Sequence, residues 1–158
     1  MKSVIQRVVD ASVSVDGVVK GSIAQGLLVY LGVAHEDTEA FADWLAEKVA
    51  NLRIFHDSDG KMNLSIKDLQ GQGTLPGGGL GVLAISQFTL LSDARKGRRP
   101  SLHGAAEPGR ARELYERFVE KVREQGLVCE CGEFQAHMKV AYINDGPVTI
   151  LLDTDHLK

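Results

Sequence analysis

Two short stretches hold most of the groups in this chain that could do chemistry. The first is Ser86-Gln87-Phe88-Thr89-Leu90-Leu91, directly after the apolar run 80–85. It sets two hydroxyls and an amide at the end of a strand. A hydroxyl becomes a nucleophile when a base sits beside it, and backbone N–H groups at such a place can hold a developing oxyanion. The second is Asn144-Asp145-Gly146-Pro147-Val148-Thr149, between two alternating apolar runs. Gly accepts positive φ; Pro fixes its own φ and gives up a donor. An X-Pro bond can be cis for only about 0.5–1 kcal/mol, so a cis bond can be held here. Taken alone, the stretch reads as a hairpin turn. A third stretch holds Arg95, Lys96, Arg98 and Arg99 ahead of Pro100. Its plain reading is a solvated loop.

Several familiar chemistries are missing. There is no Gly-x-Ser-x-Gly elbow, no His-Glu-x-x-His and no dinucleotide fingerprint. His35, His56, His103, His137 and His156 are scattered without metal spacing and read as surface residues. Cys129 and Cys131 are too close in sequence for an easy bridge, and no second pair exists to complete a zinc site. They read as reduced thiols of a cytosolic protein. The segment from His56 to Gly60 imitates the start of a calcium loop but lacks its closing Glu, so a plain turn is expected. The segment 70–79 imitates a phosphate loop, but no Gly-Lys-Ser/Thr follows, so a mobile hairpin loop is expected. No metal and no cofactor are expected. What is left is a site built largely from backbone groups.

The elements that must position these groups follow from pattern. Residues 3–9 and 12–15 are extended, Asp16-Gly17 is a hairpin signal, and 18–23 returns. The run 27–33 is a buried strand. Phe41, Trp44, Leu45, Val49 and Leu52 form a helical stripe over 38–52, and a second helix spans 107–125 with Pro108 in its first turn. Residues 62–66 alternate like a strand, and 80–90 is another. The segments 127–134, 137–143 and 148–152 are closing strands. The tally is about nine short strands and two helices. It predicts an α+β (mixed α/β) fold: antiparallel or mixed sheets forming a barrel-like pair of layers, with two main helices on one side. A length of 158 residues suits one domain over 1–158. A net charge of -3 gives no global field to draw in nucleic acid, so such a partner needs a local basic patch. No run is long and apolar enough to span a membrane, and no signal segment opens the chain.

With both stretches in place, the chain resembles the D-aminoacyl-tRNA deacylase family. The resemblance runs nearly end to end. It includes Arg7-Val8 with Ala11-Ser12-Val13, Gly26-Leu27-Leu28, Gly32-Val33, Leu52-Arg53-Ile54-Phe55, Met62-Asn63, Gly97-Arg98-Arg99-Pro100-Ser101, and Phe134 with Met138. Ala24 and Gln135 stand where Gly is expected, Leu102 where an aromatic is usual, and the 71–79 loop is long.

The resemblance implies a cytoplasmic homodimer, with no membrane or DNA partner. It implies hydrolysis of the ester joining a D-amino acid, or glycine mischarged on tRNA-Ala, to the terminal adenosine of tRNA. It implies that Gly146-Pro147 is cis and enters the partner subunit's pocket, whose own wall is Ser86, Gln87, Phe88 and Thr89. Arg7 would brace the corner, against a plain reading as a surface ion pair. Phe134 and Met138 would touch the terminal adenine, against a plain reading as core. Gln87 and Phe88 N–H groups would form the oxyanion site. Thr89 is a nucleophile only if a base is found; otherwise the ribose 2′-OH of the substrate helps activate water. Lys96, Arg98 and Arg99 would meet tRNA phosphates. Two other classes stay open: a non-catalytic RNA-binding dimer module and a small-molecule esterase.

Overall fold

The computed structural model describes residues 1–73 and 79–157. The chain runs β1 (Lys2–Val15), β2 (Val18–Ile23), β3 (Gly26–Gly32), α1 (Glu39–Asn51), β4 (Phe55–His56), β5 (Met62–Leu64), α2 (Ile66–Gly71) and β6 (Gly81–Ser86). A 3-10 turn (Phe88–Leu91) follows, then α3 (Pro108–Glu124), β7 (Cys129–Cys131), β8 (Lys139–Asp153) and a last 3-10 turn (Thr154–Leu157). Asp16 and Gly17 both hold positive φ, +50° and +80°, which lets a two-residue turn match the strand twist between β1 and β2.

The sheet is ordered β2-β1-β3-β6-β7, and β8 also pairs with β1. β1 is antiparallel to β2, β3 and β8, whereas β3–β6 and β6–β7 are parallel. The sheet curls until β2 nears β7. A Cβ on Gly21 would lie 2.8 Å from the Cys131 carbonyl oxygen, so glycine permits the approach. Alternate residues of β3 then serve two cores. Leu27, Val29 and Leu31 face α1 and α3 with Ile5, Leu45, Val49 and Phe118; Leu28 faces the inside of the curl with Val8, Val13, Leu83 and Ile85. Burial on both faces explains the unbroken apolar run. Each fully buried Leu or Phe contributes about 2 kcal/mol.

The expected architecture, a mixed, barrel-like sheet with helices on one side, is what the chain adopts. Individual elements differ. The segments 137–143 and 148–152 are one strand, β8, and the Asn-Asp-Gly-Pro stretch lies inside it rather than in a hairpin turn. Local turn chemistry is overridden because β1 supplies a ladder on both sides of it. The strand over 127–134 shrinks to β7. The alternation at 62–66 hides the start of α2, where Ser65 and Asp68 form a reciprocal capping box. Between β4 and β5 the Asp57 carboxylate accepts the N–H groups of Asp59 and Lys61, so it is spent on a plain turn. The loop expected over 70–79 falls in large part, at 74–78, outside the described residues.

Two ion pairs tie α1 to α3. Arg117 meets Asp43 through Nε at 2.6 Å and Nη2 at 2.7 Å, and Arg110 Nη1 meets Glu39 at 2.7 Å. The Arg110 hydrogen bond holds the Glu39 carboxyl down to about 2, and Arg117 lowers that of Asp43. A depressed carboxyl stabilises the fold above its unfolded pKa, and that stabilisation is lost as pH falls through the folded value. Glu39→Gln is therefore expected to lower Tm slightly near pH 6. The difference should fade between about pH 4.5 and about pH 2; thermal melts across that range check it. The effect stays small because both partners are solvated.

Candidate functional site

The wall of the site begins where β6 ends. Ser86 is the last strand residue, opposite Leu31 of β3, and Gln87 donates its N–H to the Leu31 carbonyl at 2.8 Å. The chain then tightens into the 3-10 turn. Its first residues, Phe88 and Thr89, have no carbonyl a turn earlier to donate to, so their N–H groups are the ones open to a ligand. This corrects the expected oxyanion pair: the Gln87 N–H is already spent in the sheet. The Gln87 side-chain amide donates to the Thr89 hydroxyl. No histidine or carboxylate hydrogen-bonds Thr89 among the described residues.

A close approach holds this turn in place. Gly32, at the end of β3, packs directly beneath it. A Cβ there would lie 2.9 Å from the Gln87 carbonyl oxygen and 3.1 Å from Leu90 Cβ, and would overlap the Leu91 side chain. Only hydrogen fits at that point.

A cavity of about 340 Å³ opens beside the turn. Ser86 and Phe88 form one wall, Phe134 and Met138 another, and Ala106 and Ala111 line the α3 side. The cavity is mostly apolar, and Phe88 exposes about half its surface (54%) beside it. Phe134 packs at 6.0 Å between ring centroids on Tyr115, which donates its hydroxyl to the Ala84 carbonyl. Arg112 lies 5.0 Å over the same Phe134 ring. A Cβ on Gly132 would overlap the Met138 sulfur, so that glycine fixes how far Met138 reaches. Gln135 takes φ +65°, a left-handed value that suits glycine, which was the residue expected there.

The second stretch lies apart from this cavity in the chain. The Gly146-Pro147 bond is cis, and both residues are exposed. Beneath them is Arg7, only 3% exposed. Its Nη1 donates to the Ile54 carbonyl at 2.6 Å, and its Nη2 lies 3.0 Å from where a Gly146 Cβ would be. Its Nε is 3.0 Å from Asp145 Oδ2 without a hydrogen-bonding angle, so the contact is purely ionic. Arg7 is thus no surface residue; it fills the underside of the corner.

The cationic stretch divides. Arg95 is paired with Asp93 at 2.6 Å and its charge is largely cancelled. Lys96, Arg98 and Arg99 are exposed and form no ion pair among the described residues. Arg99 lines an open cleft with His35 and His103, which meets the apolar cavity at Ala105. All five histidines are exposed. Among the described residues no cluster suited to a metal is present, and no helix is long and apolar enough to cross a membrane.

Structure thus brings Ser86, Phe88, Phe134 and Met138 to one cavity, which Gln87 and Thr89 do not line, and sets Arg7 under Gly146. Sequence reasoning counted Gly32 in the resemblance but gave it no role in the site, and it passed over Ala106. Nothing local marks a glycine as a contact for a turn more than fifty residues away.

Known proteins match this chain over nearly its whole length. A relative from Thermotoga petrophila is 54% identical over 99% of both chains, and one from Koribacter versatilis is 56% identical over 98% of this chain and 97% of its own; both are named D-aminoacyl-tRNA deacylase. The solved structure of a c-Myc DNA Unwinding Element Binding Protein superposes with a TM-score of 0.85 at 38% identity, covering 97% of this chain and 98% of its own. Another, a probable eukaryotic D-amino acid tRNA deacylase, shares the fold at a TM-score of 0.78 and 16% identity, covering 96% of this chain and 97% of its own. The family described as D-Tyr-tRNA(Tyr) deacylase matches residues 4–153, and this chain belongs to it.

Proposed function

We propose that this protein hydrolyses the ester bond of D-aminoacyl-tRNA, releasing the D-amino acid and free tRNA. The observation that carries the reading is the identity above one half, over nearly the whole of both chains, to relatives named for that activity. The site agrees with it. The apolar cavity suits an adenine between Phe134 and Met138, and Phe88 is in its wall, so the N–H groups of Phe88 and the adjoining Thr89 would hold the ester oxyanion.

The finer mechanism is a matter of exclusion. Every L-aminoacyl-tRNA competes, and an apolar pocket rejects a misfit by only about 1–3 kcal/mol. A fixed backbone wall rejects more strongly. The protein acts as a homodimer in which Gly146-Pro147 of one protomer enters the other's cavity. There its carbonyls hold the substrate amino group, and an L side chain meets main chain. The exposure of the corner and of Val9, Tyr142, Ile143 and Leu151 around it on β1 and β8 supports this pairing. Glycine has no side chain to reject, so glycyl-tRNA, including glycine mischarged on tRNA-Ala, is also cleaved. The substrate places the protein in the cytoplasm, working as one domain without a cofactor.

The test is incubation with D-aminoacyl-tRNA, its L counterpart and a free D-amino acid ester. Cleavage of the first alone is expected, and equal cleavage of all three would sink the reading. A nucleic-acid-binding module that does not hydrolyse is the second reading, favoured by the likeness to the 38% identical protein, which is named for binding DNA. Retained binding to tRNA or duplex DNA with no deacylation would support it.

Two further outcomes bear on the chemistry. Thr89 has no base beside it, so the substrate 2′-OH is the better activator of water. Thr89→Ala should keep its single-turnover rate within about tenfold of the parent, since loss of a single oriented hydroxyl costs little where it is not the nucleophile. A fall to background would make Thr89 the nucleophile. Neutralising Lys96, Arg98 and Arg99 together should weaken binding evenly across tRNAs. It should also flatten the slope of log K against log salt by about two, as expected for three lost contacts to single-stranded phosphates.

A further inference from the structure

The excursion that carries Gly146 and Pro147 has an unusual base. In the β1–β8 ladder Gln6 pairs with Thr149 and Val8 pairs with Asn144. One residue of β1, Arg7, therefore faces four of β8, Asp145 to Val148. Backbone groups in such a bulge lose their ladder partners and must be satisfied elsewhere. Pro147 has no N–H to offer.

Asn144 closes the gap. Its side-chain Nδ2 donates to the Arg7 carbonyl at 2.9 Å and to the Val148 carbonyl at 3.0 Å. The first acceptor is on β1, opposite the excursion. The second is on the chain returning from it. One amide therefore ties both strands at the neck of the four-residue bulge. A neutral amide nitrogen with two hydrogens can do this; a carboxylate of the same shape has none to give. Asn144 is half-buried, and both donated bonds run to main chain.

We infer that Asn144 is a positioning residue for stereochemical discrimination: its two donated hydrogen bonds fix where the Gly146-Pro147 corner stands. The inference rests on the proposed function, in which that corner excludes L substrates. Arg7 supports the corner from beneath, and Asn144 sets its span across the neck. Loosening the neck lets the corner shift, which relaxes exclusion before it harms cleavage. A D side chain points away from the corner, so D-aminoacyl-tRNA tolerates the shift better than its L counterpart gains from it.

The experiment compares single-turnover rate constants on D- and L-aminoacyl-tRNA for the full-length parent, Asn144→Asp and Asn144→Ser, with thermal melts of each. Asn144→Asp keeps the shape and loses both donors; Asn144→Ser keeps one donor. The expected result is a D/L ratio lowered about tenfold or more in Asn144→Asp, through a gain of L cleavage, with an intermediate ratio in Asn144→Ser; tenfold corresponds to the loss of about one good hydrogen bond. A ratio within twofold of the parent in a folded variant overturns the inference. So does a parallel fall of both rates, or failure of both variants to fold, since Asn144 would then be merely structural. A parent that cleaves neither substrate, or both alike, would instead sink the proposed function, so the two failures are distinguishable.

Discussion

Arg7→Met should unfold at markedly lower urea than the parent, with about 3 kcal/mol of stability lost. Arg7 is almost wholly buried, and its guanidinium serves three neighbours at once: the Ile54 carbonyl, the Asp145 carboxylate and the space under Gly146. Removing one member of a buried charged set typically costs about 3–5 kcal/mol, because the partners are left unpaired. Asp145 is 40% exposed and can turn to water, which places the expected value at the low end. Deacylation should fall further than stability explains, since the corner loses its floor. Arg7→Lys keeps the charge but not the planar fork that reaches Ile54 and Gly146 together, so it should restore only part of the loss. Urea titration with an unchanged m-value and single-turnover deacylation check both halves. A variant as stable and as active as the parent would show that the corner needs no support from beneath.

Gly32→Ala is expected to cut deacylation by about a hundredfold. The added methyl would sit 2.9 Å from the Gln87 carbonyl oxygen, which is backbone and cannot rotate away. Either β3 or the 3-10 turn must move. Overpacking of this kind costs about 1–3 kcal/mol, which the fold can survive. On the proposed function the Phe88 and Thr89 N–H groups hold the oxyanion and cannot move so freely, because misplacement by about 1 Å can cost about a hundredfold in rate. The signature is a large fall in the single-turnover rate with a melting curve that shifts by only a few degrees. A variant with native activity would remove the turn's N–H groups from the mechanism.

Much of this fold can be read from local pattern. Asp16-Gly17 supplies the two positive φ values its hairpin needs, and the stripe through Leu45, Val49 and Leu114, Phe118, Val122 marks the helix faces that are buried. These features depend on neighbours within a few residues. What pattern misread depends on distant ones. Asn-Asp-Gly-Pro has the composition of a turn, yet it lies within a strand because β1 pairs with the chain before and after it. The same holds in the site. Ser86, Phe88, Phe134 and Met138 were recognisable by motif, and they share one cavity. The bond of Asn144 to Arg7, the close contact of Gly32 with the turn and the prior engagement of the Gln87 N–H each join segments that no local window spans.

The pairing of β1 with β8 also has a temporal consequence. Asn144 and Arg7 are 137 positions apart, and the ladder between these strands runs the length of β1. Contacts at such separation demand that a long loop be closed before any reward is gained, which slows folding. While a ribosome is still adding residues beyond the first helices, β1 has β2 and β3 but not its other neighbour. Its open edge is then exposed to association with other chains. The Gly146-Pro147 corner is thus among the last features a nascent molecule acquires.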